Sequence, residues 1–373
     1  MRLALTGGGT GGHVYPALAI AEAFANEPAF APLDVLFVGT QDRLEAQIVP
    51  KAGYRIAFVH AAPLVRKLSL QLFPIFVANF AGLCEALGIM HRARPDVLIA
   101  TGGYVAFPVV AALRLVRWLR RSPARIAVLE PNAAAGLTNR LLAPLVDEIW
   151  YGIAPPARGL GPREFMVGTP VRASMRRAMM PVDARVALGL DAGKRTVVVM
   201  GGSQGARSIN DAAIGLVEAG LPQGWQLLVV AGDREFARCK ERLRDRAAVR
   251  VVGYLEDPRA AYAAADLVVA RAGASTLAEL AATGTPAVLV PYPFATGDHQ
   301  MHNARAYAAG GAARIVPSGE FDAARLRAEC EAALAPAANA ALRSAARLLA
   351  GRDAAATIVA RVKPWIVSNT AHP

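Results

Sequence analysis

The chain has 373 residues, enough for two domains with a core each, and at 54% hydrophobic against 19% charged it is not a disordered segment. Its formal charge of +12 asks for an acidic partner, an anionic membrane surface or a polyanionic substrate, although a compositional bias toward Arg and Ala yields the same charge with no partner. Aromatics at 6% and the lack of a basic-aromatic RNA-binding sequence argue against nucleic acid, and three scattered cysteines with no Cys-x-x-Cys argue against a zinc ribbon or a disulfide framework.

The scattered cysteines fit a reduced cytoplasm, and the first strand, expected at Leu3–Thr6, is too short for the apolar stretch of a signal peptide. It runs into Gly7-Gly8-Gly9-Thr10-Gly11-Gly12-His13. Bare glycines let a backbone approach a phosphate or a sugar, and the helix that follows points its unpaired N–H groups at the ligand. Gly7, Gly9 and Gly12 satisfy G-x-G-x-x-G. The next strand, Val35–Val38, ends in Gly39-Thr40-Gln41 rather than the acid that holds an adenosine ribose, which disfavours a dinucleotide site. An imidazole directly behind the glycines points to chemistry at the loop. His13 is the candidate general base, because imidazole titrates near neutrality.

From Leu68 to Cys84 there is no charged residue, and Arg66-Lys67 precede the stretch. It reaches the lower length of a membrane span, yet Gln71, Pro74, Asn79 and Gly82 argue against one. A buried helix remains open, as does a surface helix whose Leu64, Leu68, Leu72, Phe73 and Phe76 enter lipid while Arg66 and Lys67 meet headgroups. Next, Val97–Ala100 leads into Thr101-Gly102-Gly103-Tyr104, a second anion-binding turn. Leu113–Arg121 sets Arg114, Arg117 and Arg121 at helical spacing beside Leu113, Val116 and Trp118, which suits a basic helix on anionic lipid as well as a plain solvated face. Strands at Ile126–Leu129, followed by Glu130-Pro131-Asn132, and at Ile149–Tyr151 complete the first half. Prolines 155, 156, 162 and 170 mark the join, giving a first domain over 1–165 and a second over 166–352.

The second half repeats the theme: Val197–Met200 runs into Gly201-Gly202-Ser203-Gln204-Gly205-Ala206-Arg207, without the Gly-Lys-Ser/Thr ending of a P-loop. Strands are expected at Leu227–Ala231, Val249–Val252, Leu267–Ala270 and Ala287–Val290. After the third of these, Arg271 to Thr276 form a small-residue turn that suits an anion at a helix N-terminus. Glu279, one turn on, either accepts hydrogen bonds from vicinal ribose hydroxyls or is an ordinary helix charge. Pro291–Gln300 is rich in groups suited to sugar hydroxyls. His299 and His302 lack a third ligand and no Asp-x-Asp lies near a strand end, so no metal site is expected. Helices follow from Ala323, broken at Pro336, with a loose tail beyond Pro364. Unbroken apolar strands separated by helices mean two doubly wound parallel-sheet (Rossmann-like) α/β domains, expected to face each other across a cleft at their strand C-terminal ends.

GGGTGGHVYPALA, TGGYVAFP, EPNAAAGLTNR, VGTPVR, GGSQGAR, RAGASTLAE and GDHQMHNA, in this order and extending to about Gly311, resemble the MurG family of peptidoglycan N-acetylglucosaminyltransferases. The resemblance implies the two-domain glycosyltransferase B architecture, with a C-terminal helix, here 353–373, packing back on the first domain. It implies UDP-N-acetylglucosamine as donor and lipid I, the undecaprenyl-diphosphate-linked N-acetylmuramyl-pentapeptide, as acceptor, giving lipid II. Gly202, Ser203, Gln204 and Arg172 would approach the donor diphosphate, Leu255 would meet uracil through its backbone, and Ala274, Ser275, Thr276, Leu277, Ala278 and Glu279 would hold phosphate and ribose. Thr10, Gly11, Gly12, Asn132 and Gln300 would hold the donor sugar, while Gly8, Gly9, Gly102, Gly103 and Tyr104 would receive the acceptor diphosphate. The chain departs from the family pattern in having a single Gln300 before Met301, and Pro131 where a Gln is common.

The implied reaction is inverting hexosyl transfer to the muramyl 4-hydroxyl, with no required cofactor and with divalent-cation stimulation left open. The implied setting is peripheral, on the cytoplasmic face of the inner membrane, beside other cell-wall synthesis and division proteins. A lipid glycosyltransferase acting on diacylglycerol, a UDP-N-acetylglucosamine epimerase and a non-catalytic nucleotide-binding membrane adaptor are the alternatives.

Overall fold

A computed structural model describes residues 1–63, 72–155, 159–202, 204–351 and 353–370. The expected membrane contacts Leu64, Arg66, Lys67 and Leu68 and the loop residue Ser203 lie outside the described residues, as do the side chains of Leu72 and of 367–370. The chain divides into two compact units, Met1–Ala173 with Arg352–Pro373, and Ser174–Gly351.

In the first unit the elements run β1 (Arg2–Thr6), α1 (Gly11–Ala25), β2 (Asp34–Gly39), α2 (Glu45–Lys51), β3 (Arg55–Phe58), α3 (Leu72–Ala93), β4 (Val97–Ala100), α4 (Ala106–Arg120), β5 (Arg125–Glu130), α5 (Leu137–Leu142), β6 (Glu148–Tyr151) and β7 (Glu164–Met166). They form a parallel sheet in the order β3-β2-β1-β4-β5-β6-β7. Its central strands β1, β4 and β5 carry consecutive apolar residues (Leu3–Leu5, Val97–Ala100 and Ile126–Leu129) because both faces are covered. Leu3, Leu5, Val97 and Ile99 pack on one side with Ile20 and Phe24 of α1, while Ala4, Leu98 and Ala100 pack on the other with Met90 of α3 and Val109 of α4.

The second unit continues with α6 (Ala173–Arg176), α7 (Pro181–Ala187), β8 (Arg195–Met200), α8 (Arg207–Glu218), β9 (Trp225–Val230), α9 (Phe236–Arg242), β10 (Val249–Val252), α10 (Arg259–Ala264), β11 (Leu267–Ala270), α11 (Ala274–Thr283), β12 (Ala287–Leu289), α12 (His299–Ala309), β13 (Ala313–Ile315), α13 (Ala323–Leu334) and α14 (Pro336–Leu349). Its parallel sheet follows β10-β9-β8-β11-β12-β13, the same winding as the first. Pro336 opens α14, where its missing N–H has no helical partner to lose.

Three differences from expectation have local causes. Strand β7 pairs with β6, Ile149 opposite Glu164, so the first unit runs on to Ala173 rather than ending at 165. The last helix, α15 (Ala354–Thr370), continues through Pro364 instead of fraying there. It packs on the first unit: Trp365 stacks on Trp150 at 5.9 Å, Arg361 pairs with Glu148 at 2.8 Å, and Ile358 and Val362 enter the core. Finally, α3 extends to Ala93, and it is not a buried helix. Ala86 and Met90 are in the core, but Phe73, Phe76 and Phe80 stand 74%, 68% and 58% exposed. By length and composition alone, Phe73–Ala93 is long and apolar enough to cross a membrane.

Candidate active site

In the first sheet the winding reverses between β1 and β4, and ligands of open α/β sheets bind at the carboxyl ends of strands at such a point. Thr6 lies opposite Ala100, so the loop after β1 and the loop after β4 emerge side by side. They touch through backbone. Gly103 has φ +84°, and a Cβ there would stand 2.5 Å from the Gly8 carbonyl oxygen; a Cβ on Gly102, at φ +103°, would meet His13 Nδ1 at 2.7 Å. No other residue type allows this approach.

His13 is tied to Thr101 in both directions. Nδ1 donates to the Thr101 carbonyl at 2.8 Å, and Thr101 Oγ1 donates to the His13 carbonyl at 2.8 Å. A carbonyl only accepts, so the neutral imidazole carries its proton on Nδ1 and its lone pair on Nε2, the tautomer a general base needs.

Two buried carboxylates hold the neighbouring backbone. Glu45, at the start of α2, accepts from Gly9 N at 3.0 Å through Oε2, and from Thr40 N at 3.1 Å and Thr40 Oγ1 at 2.7 Å through Oε1. Thr40 therefore serves an internal acid at the position where a dinucleotide fold keeps its ribose-binding one. Glu130, ending β5, accepts from Asn132 N at 3.0 Å, Asn132 Nδ2 at 3.1 Å, Gly136 N at 2.9 Å and Asn139 Nδ2 at 2.8 Å. This fixes which way the Asn132 amide faces. The Arg172 guanidinium lies over the Tyr15 ring, 4.9 Å from its centroid, two residues along α1 from His13.

The second unit repeats the plan. Its switch point falls between β8 and β11, whose ends carry the Gly201–Ala206 loop and the Arg271–Gly273 turn. Helix α11 starts at Ala274 behind Gly273, and α8 at Arg207 behind Ala206, neither with a side-chain cap, so their first N–H groups point toward the strand ends. Arg271 is the bracket of this region. It donates to the carbonyls of Val290 at 2.9 Å and Pro291 at 3.1 Å, to Ser318 Oγ at 3.2 Å and to Ser208 Oγ at 3.0 Å, and it lies over the Tyr292 ring. Burial lowers its pKa from the ordinary arginine value. Gln300 Oε1 accepts from Tyr292 N at 3.0 Å, tying the Pro291–Asp298 loop to α12. Glu279 accepts from the buried Tyr262 hydroxyl at 2.8 Å.

The N-terminal domain of glycosyltransferase family 28 matches residues 3–150, and its C-terminal domain matches residues 196–358. A UDP-N-acetylglucosamine--N-acetylmuramyl-(pentapeptide) pyrophosphoryl-undecaprenol N-acetylglucosamine transferase of Salinibacter ruber is 44% identical over 86% of this chain and 84% of its own. The transferase of that name from Symbiobacterium thermophilum is 40% identical over 97% of this chain and 96% of its own. The chain belongs to glycosyltransferase family 28. The crystal structure of Acinetobacter baumannii MurG superposes with a TM-score of 0.72 at 24% identity, over 97% of this chain and 99% of that one, which speaks for the fold.

Within this family fold, the residues singled out from sequence fall into two groups at sheet carboxyl ends. Gly8, Gly9, Thr10, Gly11, Gly12, His13, Gly102, Gly103, Tyr104 and Asn132 gather in the first unit. Gly202, Gln204, Leu255 after β10, Ala274 to Glu279 and Gln300 gather in the second. Leu277 faces the core, so only its backbone is available to a ligand. Among the membrane residues, Phe73, Phe76, Arg114 and Trp118 are exposed, whereas Arg117 turns inward to Asp147 at 2.6 Å and is only 22% exposed. Sequence reasoning assigned no role to Glu45 or Tyr262, and it placed Arg271 in an anion-binding turn, whereas its guanidinium is engaged by internal carbonyl and hydroxyl acceptors. Glu45 in the first turn of a helix carries no motif, and Tyr262 sits in an alanine-rich helix that resembles ordinary core.

Proposed function

We propose that this chain transfers N-acetylglucosamine from UDP-N-acetylglucosamine to the 4-hydroxyl of undecaprenyl-diphosphate-linked N-acetylmuramyl-pentapeptide, forming lipid II from lipid I. The observation that carries the reading is the His13 imidazole, held by Thr101 as the Nδ1–H tautomer between two glycine loops at the switch point of the first sheet. Its Nε2 takes the proton of the attacking hydroxyl as the new bond forms at the anomeric carbon. UDP departs from the opposite face, so the configuration inverts and no covalent enzyme intermediate forms. Charge grows on the leaving diphosphate in the transition state. The uncapped starts of α8 and α11 stabilise that charge more than the ground state, without a required metal.

The glycine loops after β1 and β4 take the acceptor diphosphate. An apolar cavity of about 350 Å³, lined by Phe76, Phe80, Phe107, Pro108 and Tyr104, adjoins the second loop and suits the lipid end of the acceptor. The exposed faces of α3 and α4, with Phe73, Phe76, Arg114 and Trp118, seat the chain peripherally on the cytoplasmic membrane surface. The test is UDP release with and without a short-chain lipid I analogue, followed by mass analysis of the lipid. Acceptor-dependent release and a gain of one N-acetylhexosamine are expected. Turnover without acceptor would indicate an epimerase, and activity only on diacylglycerol another lipid transferase.

A further inference from the structure

Resting on the donor reading above, we infer that Tyr262 is a positioning residue which, through Glu279, gives this enzyme its preference for a ribose over a deoxyribose nucleotide. Tyr262 lies on α10 and is buried, with its hydroxyl 2.8 Å from Glu279 Oε2 on the neighbouring helix α11. A carboxylate only accepts, so the phenol must donate. Burial, followed by the charge of Glu279, raises the Tyr262 pKa well above the ordinary value, so the phenol stays protonated and remains a donor across the working pH range.

The geometry goes beyond satisfying a core hydroxyl. Glu279 is half-buried one turn from the uncapped start of α11, and a flexible carboxylate there presents its lone pairs in many directions. Anchoring Oε2 to a rigid phenol selects one rotation. The backbone behind the pair is braced as well. Thr283 Oγ1 donates to the Glu279 carbonyl at 2.8 Å and lies 2.7 Å from Thr285 Oγ1, so the turn that closes α11 holds the residue bearing the carboxylate. Vicinal ribose hydroxyls need an acceptor at a set distance and angle, and a site built around such a hydroxyl rejects the analogue that lacks it.

The experiment compares wild type, Tyr262→Phe, Glu279→Ala and the double variant, measuring Kd for UDP and for 2′-deoxy-UDP, with kcat and KM for UDP-N-acetylglucosamine. Melting temperatures establish that each variant is folded. Wild type is expected to prefer UDP. Tyr262→Phe is expected to weaken UDP about 10-fold and to raise KM alike, while kcat and the Kd for 2′-deoxy-UDP hold within about two-fold. In the Glu279→Ala background the same substitution should change nothing, since the residue acts through the carboxylate. Equal weakening of both nucleotides, or an effect that persists without Glu279, overturns the inference in favour of a packing role. Wild type that binds both nucleotides alike overturns the ribose assignment of Glu279 itself, and the inference with it. Should Tyr262→Phe not fold, Glu279→Asp, which draws the carboxylate one methylene back from the hydroxyl, is expected to abolish the ribose preference; if it keeps the preference, the inference falls.

Discussion

Glu45 itself belongs to no substrate-binding motif, yet it holds the backbone of Gly9, so its substitution should be felt in turnover. In Glu45→Gln the amide oxygen belongs at the Oε1 position, where Thr40 supplies two donors, and this turns the NH₂ toward the Gly9 N–H now held at 3.0 Å. One charge-assisted hydrogen bond is lost and two donors face each other. Such a bond is worth about 1.5–3 kcal/mol. At 1.4 kcal/mol per decade that corresponds to a roughly 10- to 150-fold loss if the energy had held Gly9 in its reactive position. Were the same energy drawn from global stability, Tm would fall by roughly 3–12 °C, at 2–4 °C per kcal/mol for a unit of this size. The Gly9 loop lies at the strand ends, where local opening is cheaper than global unfolding, so the loss should appear mainly in catalysis. The assay is steady-state kinetics with a lipid I analogue alongside a thermal melt. A kcat/KM within two-fold of wild type would refute the assignment of Glu45 to the loop, whatever the melt shows.

His13→Ala should reduce kcat by ~10²–10⁴, the usual contribution of a general base, and a loss of only a few-fold would remove it from that role. Gly103→Ala places a methyl group 2.5 Å from the Gly8 carbonyl at a positive φ, so it should abolish measurable transfer while the second unit retains UDP binding by calorimetry. Of the three thiols, exposed Cys84 should react with iodoacetamide at pH 8, whereas buried Cys239 and Cys330 should react only in denaturant; burial pushes the Cys330 thiol up to about 12, so almost none of it is thiolate at that pH. Phe73→Asp with Phe76→Asp should lower partition onto anionic vesicles without lowering Tm, since both rings are already in water in the isolated chain, and unchanged sedimentation with vesicles would count against α3 as the membrane face.

The division between what the sequence disclosed and what it hid follows the range of the interactions. Central strands such as Val197–Met200 and Val97–Ala100 are covered on both faces, so their burial is written in consecutive residues. Strands β3, β7 and β13 border the sheets with four, three and three residues that include Arg55, Glu164 and Arg314, and no run of that length separates a strand from a turn. The glycine loops were legible because their chemistry is local, and their geometry was not, because it is imposed from afar. His13 is oriented by a carbonyl 88 residues away and Gly9 by a carboxylate 36 residues away. Both contacts follow once β4 is known to lie beside β1 and β2 on its other side, with Thr6 opposite Ala100 and Val38. That order brings Thr101 to His13 and lets the α2 start reach back to Gly9. A sequence can thus name the groups that meet a ligand, while those that aim them from afar, Glu45 and Thr101, become visible only when strand order is known. At these residues a substitution should weaken binding or turnover more than stability.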